Sequence, residues 1–351
     1  MTVNWKEILA DSTRYKKTDM AVLAPSGIPG AYDEKGVDCP FVFSHGDHFY
    51  MLHVGFDGTG YQTALAESRD LVNWKKTHLL FPREQLQGWD SRGIAGCWII
   101  KEDSLEGLPR LKKIDSKYWM VYHAYPQTGY EAGPAEIGLA WTEDETLKVW
   151  HRKESPVLSW KNGAPWERGG LYKASIVEAD GKFYLFYNAK NRDIWPWIEQ
   201  IGVAVSDNLI NWERPVNYPL VKITEGGWDS RFAADPFVVS CRDQWVMFYY
   251  GFDGIHAQEG IAFSKNLMDW KKHPEPILKK GKTGDIDETH AHKPSVIIHD
   301  NRLFHYYCAV RPSKEEDQAR NEDPTGVAGS EYRCISLAVC SFGKDQPIRY
   351  N

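Results

Sequence analysis

Phe232-Ala233-Ala234-Asp235-Pro236-Phe237-Val238-Val239 decides how this chain is read. An acid enters an apolar, strand-like run, and Leu220 lies fifteen residues before that acid. The same interval recurs from Leu23 to Asp38, Leu80 to Ala95, Leu158 to Lys173 and Leu278 to Lys293. A comparable apolar run follows each end point. Equal intervals between unlike segments mark five copies of one structural unit. They would bring Asp38, Ala95, Lys173, Asp235 and Lys293 to equivalent places.

Each copy continues alike. The first strand, such as Pro40-Phe41-Val42-Phe43, leads through a polar turn to an aromatic strand such as Phe49-Tyr50-Met51-Leu52. Two such runs around a polar turn read as a β-hairpin. A third strand is small and apolar, as in Ile201-Gly202-Val203-Ala204. A turn ending in tryptophan follows: Ser68 to Trp74, Ser206 to Trp212 and Ser264 to Trp270 match, and Trp150 ends a looser version. That tryptophan opens an outer strand. The predicted fold is therefore all-β: a five-bladed β-propeller with four antiparallel strands per blade and its site at the central axis. The fifth copy lacks the tryptophan turn. The Leu23 segment has the phase of an outer strand and can complete that blade, closing the ring and removing its edges. Residues 1–19 are expected as an N-terminal segment, with a short helix and a linker over 5–20. Residues 20–351 are expected as a single propeller domain.

Composition narrows the function. The chain has 351 residues, a formal charge of −6 and interspersed charges. No basic stripe points to a nucleic-acid partner. The first twenty residues carry no apolar leader, and no apolar run is long enough to span a membrane. A cytoplasmic protein with reduced cysteines is expected. Cys39 and Cys97 lie beside ring positions, as buried strand cysteines or as nucleophiles.

These features resemble the five-bladed propeller glycoside hydrolases: families 43, 32, 68, 117 and 130. The resemblance covers residues 20–345. It rests on Asp38-Cys39-Pro40-Phe41-Val42, Ala234-Asp235-Pro236-Phe237 and the Ser-x-Asn/Asp-Leu-x-x-Trp turns. It implies that Asp38 is a catalytic base or nucleophile. The family 43 acids are absent, because Ala95 and Lys173 stand where relatives carry carboxylates. The pattern is closest to family 117, with Asp235 and a late histidine, His292, in place.

Glycoside cleavage needs one ionised and one protonated group across the bond. Asp38 is the expected base, with Asp235 orienting the sugar or tuning the acid. Histidine titrates near neutrality, and a carboxylate beside it favours its charged form. His292 is thus the first choice for the acid and Glu288 the second. His290 belongs to the same stretch. Alternate residues of a strand share a face, so His290 and His292 are also a candidate metal pair; the chemistry otherwise needs no cofactor. Arg92, Arg231, Lys173 and Lys293 approach the axis and are candidates for binding an anionic sugar or phosphate. Alternatively, Asp90–Arg92 and Asp229–Arg231 are loop pairs. Trp89, Trp166 and Trp228 are candidate sugar platforms, whereas Trp74, Trp212 and Trp270 are assigned to packing. The expected partner is a short, possibly acidic oligosaccharide. The expected activity is exo-acting hydrolysis, with loops 101–116, 126–136 and 312–331 closing the pocket. The rival readings are a phosphate-dependent phosphorylase and a non-catalytic sugar-binding propeller.

Overall fold

The computed structural model describes residues 5–323, 325–327 and 329–342. The ends of the two expected segments, 1–4 and 343–351, lie outside these residues. The described chain is all-β apart from one short α-helix, α1 (Trp5–Ala10), and isolated 3₁₀ turns. No helix among the described residues is long and apolar enough to cross a membrane.

Strand β1 (Tyr15–Leu23) comes first, followed by five antiparallel units. The first comprises β2 (Gly36–His45), β3 (His48–Phe56), β4 (Tyr61–Ser68) and β5 (Lys75–Leu79). The second comprises β6 (Ile94–Ile99), β7 (Tyr118–Ala124), β8 (Glu136–Thr142) and β9 (His151–Arg152). The third has β10 (Leu171–Ala179), β11 (Lys182–Asn191) and β12 (Ile198–Ser206). Its outer edge is reduced to the bridges Val205–Glu213 and Ile201–Val221. Pro215 and Pro219 lie in that edge segment and offer no N–H to a ladder. The fourth has β13 (Phe232–Cys241), β14 (Gln244–Phe252), β15 (Ala257–Ser264) and β16 (Lys271–Lys272). The fifth has β17 (His290–His299), β18 (Arg302–Pro312), β19 (Asn321–Glu322) and β20 (Ser330–Ser341). The first strand of each unit packs against the first strand of the next, and β17 packs against β2.

Strand β1 pairs antiparallel with β20, from Tyr15 opposite Cys340 to Leu23 opposite Ile335. The linker expected before residue 20 is therefore strand, and a boundary at 19/20 would cut through it. The polar run Tyr15-Lys16-Lys17-Thr18-Asp19-Met20 read as linker because an outer strand keeps much of its surface in water.

The tryptophan turns hold by side-chain caps. Asn208 Oδ1 accepts from the backbone of Ile210 at 3.0 Å and Asn211 at 2.9 Å. The leucine within each turn is left-handed, with φ of 64° at Leu71, 65° at Leu209 and 66° at Leu267. Trp212 and Trp270 donate their indole N–H to that leucine's carbonyl at 2.6 and 2.8 Å. All six cysteines are free and buried.

A second repeat was not anticipated. Each unit buries one acid just before its first strand: Asp33, Asp90, Glu167, Asp229 and Asp287. Each acid meets a cation from an outer strand or edge segment. The pairs are Asp33–Lys76, Asp90–Arg152, Glu167–Arg214 at 2.9 Å, Asp229–Lys272 at 2.5 Å and Asp287–Lys17 at 2.5 Å. Tyr122 donates to Asp90 at 2.7 Å and Tyr249 to Asp229 at 3.3 Å; Tyr187 donates to Glu167. Asp90 and Asp229 thus pair outward, not with Arg92 and Arg231. Lys17 comes from β1, so the first strand of the chain completes the last unit's clasp. Lys17→Met strands the Asp287 carboxylate in the interior and is expected to destabilise the fold by about 3 kcal/mol. Denaturant unfolding measures this loss; an unchanged midpoint would reject the clasp's role.

Candidate active site

A β-bulge in each first strand aims one residue inward. The register breaks around Cys39-Pro40, Cys97, Lys173, Asp235-Pro236 and Lys293-Pro294. Cys39, Asp235 and Lys293 are left-handed, at φ of 53°, 54° and 64°. Non-glycine residues take that conformation at a cost and persist in it only where their surroundings hold them. Pro40, Pro236 and Pro294 follow, and proline loses no ladder bond at a bulge. Cys39, Lys173, Asp235 and Lys293 line an inner chamber of about 20 Å³. That is room for about one water molecule. An outer chamber of about 220 Å³ opens above it. The structure therefore moves the ring by one residue in the first unit and two in the second. Cys39 and Cys97 hold the bulge positions assigned from the sequence to Asp38 and Ala95.

Lys293 joins three units. Its Nζ donates to Asp38 Oδ2 at 2.7 Å and to Glu131 Oε1 at 3.0 Å. Asp38 Oδ2 also accepts from Tyr61 at 3.0 Å, Tyr130 at 3.1 Å and Arg333 at 3.2 Å. Its Oδ1 accepts from the Cys39 N–H at 2.8 Å. Burial favours the neutral acid, but Lys293 and Arg333 outweigh it and hold the Asp38 carboxyl well below its usual range. Both Asp38 oxygens are occupied, and the residue lines neither chamber. The geometry gives it an anchoring part in place of the expected base. Glu131 does face both chambers. Burial raises its carboxyl, and Lys293 and Lys190 more than offset this and lower it.

A second carboxyl cluster faces the same space. Asn188 Nδ2 donates to Glu199 Oε2 at 2.7 Å and to Asp235 Oδ1 at 3.3 Å. Lys190 Nζ lies 3.3 Å from Glu199. Burial pushes the Asp235 carboxyl up, Lys173 and Lys293 pull it down, and Glu131 and Glu199 push it back, to about 7. Lys173 is 4% exposed, and its Nζ has no hydrogen-bond partner.

The remaining expected residues separate. His292 Nδ1–H donates to the Cys308 carbonyl at 3.1 Å, and its Nε2 accepts from Arg333 at 3.0 Å. Burial, Arg333 and Lys293 hold it neutral, well below the usual histidine range. It is committed on both nitrogens, which removes it as proton donor and as half of a metal pair. His290 lines the outer chamber, accepts on Nδ1 from the Ala257 N–H at 3.1 Å and leaves Nε2 unpartnered. No group of three or more metal-ligating side chains gathers among the described residues. Glu288 lies outside both chambers and accepts from the Gly284 N–H at 2.5 Å. Arg92 is exposed away from them. Arg231 donates to the Trp197 carbonyl at 3.1 and 2.9 Å and braces the wall from behind. Trp89, Trp166 and Trp228 lie over Tyr122, Tyr187 and Tyr249 and are packing residues, outside both chambers. Gly202 and Gly260 make room for two of these stacks: a Cβ at either would meet tryptophan at 2.7 or 2.5 Å. Loop 126–136 supplies Tyr130 and Glu131, and Thr325 of loop 312–331 reaches the outer chamber. Loop 101–116 lies at the other end of the first strands, where Leu105 and Pro109 bond to Ser240 and Ser44. It cannot cover the pocket. Glu131, Glu199, Asn188, Lys190, Trp197 and Arg333 were not anticipated.

Antiparallel β-units whose first strands converge on a pocket of carboxyls and lysines are the architecture of the propeller-type glycoside hydrolase families. The profile of "Glycosyl hydrolases family 32 N-terminal domain" matches residues 110–286, just over half the length. The chain belongs to that family. It is similar to a "Beta-1,2-mannobiose phosphorylase" of Thermoanaerobacter sp. (strain X514), 29% identical over 34% of this chain and 43% of the relative. The chain thus spans about two fifths of that relative's length. A solved structure described as "Glycoside hydrolase" is 25% identical with a TM-score of 0.77, over 100% of this chain and 99% of the other. Another, described as an RGII complex of BT0996, is 27% identical with a TM-score of 0.76, over 95% of both proteins.

Asp38→Asn leaves Lys293 and Arg333 without their shared anion. It is expected to cost roughly 3 kcal/mol of stability, read as a lowered denaturation midpoint. A variant as stable as the wild type would return Asp38 to the candidate bases.

Proposed function

We propose that this chain is a five-bladed β-propeller glycosidase, one catalytic domain over the described residues, that hydrolyses a bond of a short oligosaccharide. The circular packing of the five first strands supports the blade count. One observation carries the chemistry: two carboxyls face one pocket with opposed proton affinities. Glu131 is lowered, while Asp235 is raised to about 7. Carboxyls pushed apart in this way are the usual mark of an acid and a base sharing a site. Asp235, protonated, gives its proton to the leaving glycosidic oxygen. Glu131, ionised, attacks the anomeric carbon or takes a proton from the water that does. Asn188 and Glu199 position Asp235, and Lys293 keeps Glu131 charged. The reading invokes no cofactor.

Phosphorolysis is the second reading. The buried, unpartnered Lys173 and the phosphorylase relative favour it. A screen of aryl glycosides and oligosaccharides, with and without inorganic phosphate, separates the two: hydrolysis proceeds without phosphate, and strict phosphate dependence would reject it.

Glu131→Gln and Asp235→Asn are each expected to lower kcat by roughly 10²–10⁴-fold. Full activity in either would remove that residue from the mechanism. Because Asp235 acts in its protonated form, the rate should fall as pH rises through about 7. A pH–rate profile flat from 5 to 9 would contradict this assignment.

A further inference from the structure

Trp195, two residues before the chamber-lining Trp197, is 83% exposed, with Ile194 beside it at 46%. The segment that carries them is held at both ends by the pocket wall, because Arg192 and Trp197 both line the chamber. Trp197 is fixed on every side. Its indole N–H donates to Glu199 at 3.1 Å, and its carbonyl accepts from Arg231. Its ring stacks on Phe232 at 6.2 Å, with Lys190 at 5.3 Å from the ring. Trp195 sits 5.7 Å from this anchored ring, inclined by 48°. Trp89, Trp166 and Trp228, by contrast, each have a face covered by tyrosine.

A single exposed apolar residue needs no explanation. Here the exposed indole continues an aromatic wall, Trp197, Phe232 and Phe252, that already lines the chamber. It also stands on the segment leading into Glu199. We propose that Trp195 is the platform of a second sugar subsite, outside the pocket, that stacks the apolar face of the ring following the one at the carboxyls. This rests on the reading of the pocket as a glycosidic site and adds that the substrate has at least two rings. Arg192 and Asp193, both exposed, precede it on the same segment and supply polar groups, which suits a sugar ring better than an apolar protein surface.

The test uses the full chain and an array of mono- to hexasaccharides from plant and fungal cell walls. Wild type, Trp195→Ala and Trp195→Phe are compared for binding, and for turnover of any methyl monosaccharide glycoside, which has no second ring, that the wild type cleaves. Trp195→Ala should bind di- and longer saccharides about tenfold more weakly, as expected when an apolar ring face is no longer covered. Trp195→Phe should recover part of the loss, and turnover of the single-ring glycoside should stay unchanged. Saccharides bound equally by wild type and Trp195→Ala would overturn the subsite and leave the glycosidic reading standing. Failure of every protein to bind or cleave any saccharide would sink both. Concentration-dependent self-association that Trp195→Ala abolishes would assign the platform to a second copy of the chain and overturn the proposal.

Discussion

Lys293 is the charge around which the site is assembled. It enters from the fifth unit, pairs with Asp38 of the first and reaches Glu131 on a loop of the second. An ammonium taken out of water costs several kcal/mol unless carboxylates meet it at good geometry. Three segments remote in sequence must therefore converge for any of them to be stable. The same cation sets where protons reside. It keeps Asp38 and Glu131 ionised, and its pull on Asp235 is too weak to offset burial. One ion pair thus closes the first unit against the last and separates the carboxyls into charged and neutral members.

The bulges and the outer clasps divide the work. Each clasp ties the loop before a first strand to its own outer strand or edge segment, so the strand enters at a fixed height. The acid lies six residues before the bulge in four units, from Asp33 to Cys39 through Asp287 to Lys293, and seven in the second, from Asp90 to Cys97. With both ends of that short segment pinned, the left-handed residue has little freedom to relax. Local strain of this kind persists only where surrounding contacts over-determine it. The clasps are thus the reason a lysine and an aspartate can be held in the αL region and face each other across a chamber with room for one water.

The repeats were legible because strand periodicity survives in every unit and the tryptophan turn in all but the fifth, loosely in the second. The closing strand was legible from the phase of Leu23. The register of the ring was only partly so. The interval of fifteen residues holds in three units and lengthens by one and two in the others, so Asp38 was aligned where Cys39 belongs. The X-Pro step at Cys39, Asp235 and Lys293 was the better guide, since proline marks a bulge. Glu199 and Arg333 also carried a signal. Three residues before the small residue opposite the middle of the second strand (Ala64, Gly138, Gly202, Gly260, Ser336) come Tyr61, Ala135, Glu199, Ala257 and Arg333. These form a second inward ring. Glu131 had no such marker, because it sits on a loop between the repeats. The tryptophans misled because a Gly-Trp-Asp or Pro-Trp-Glu loop shows neither the tyrosine beneath its indole nor the glycine that lets it pack there.

Charge around the chambers bears on the choice between hydrolysis and phosphorolysis. With Asp235 on its proton, Lys173, Lys190, Arg192, Lys293 and Arg333 stand against Asp38, Glu131, Glu199 and Glu331. The cations exceed the carboxylates by one. A neutral sugar and a water molecule leave that excess in place, and Lys173, which has no hydrogen-bond partner, is then free to hold a hydroxyl of the sugar beside Asp235. Its charge there keeps that acid's affinity for its proton from rising further. A phosphate dianion would draw on the same lysine and on Arg192 of the outer wall, and it would set its own negative charge beside Asp235, which makes a carboxyl harder to ionise. Phosphorolysis would therefore bind its nucleophile next to an acid less ready to give up its proton.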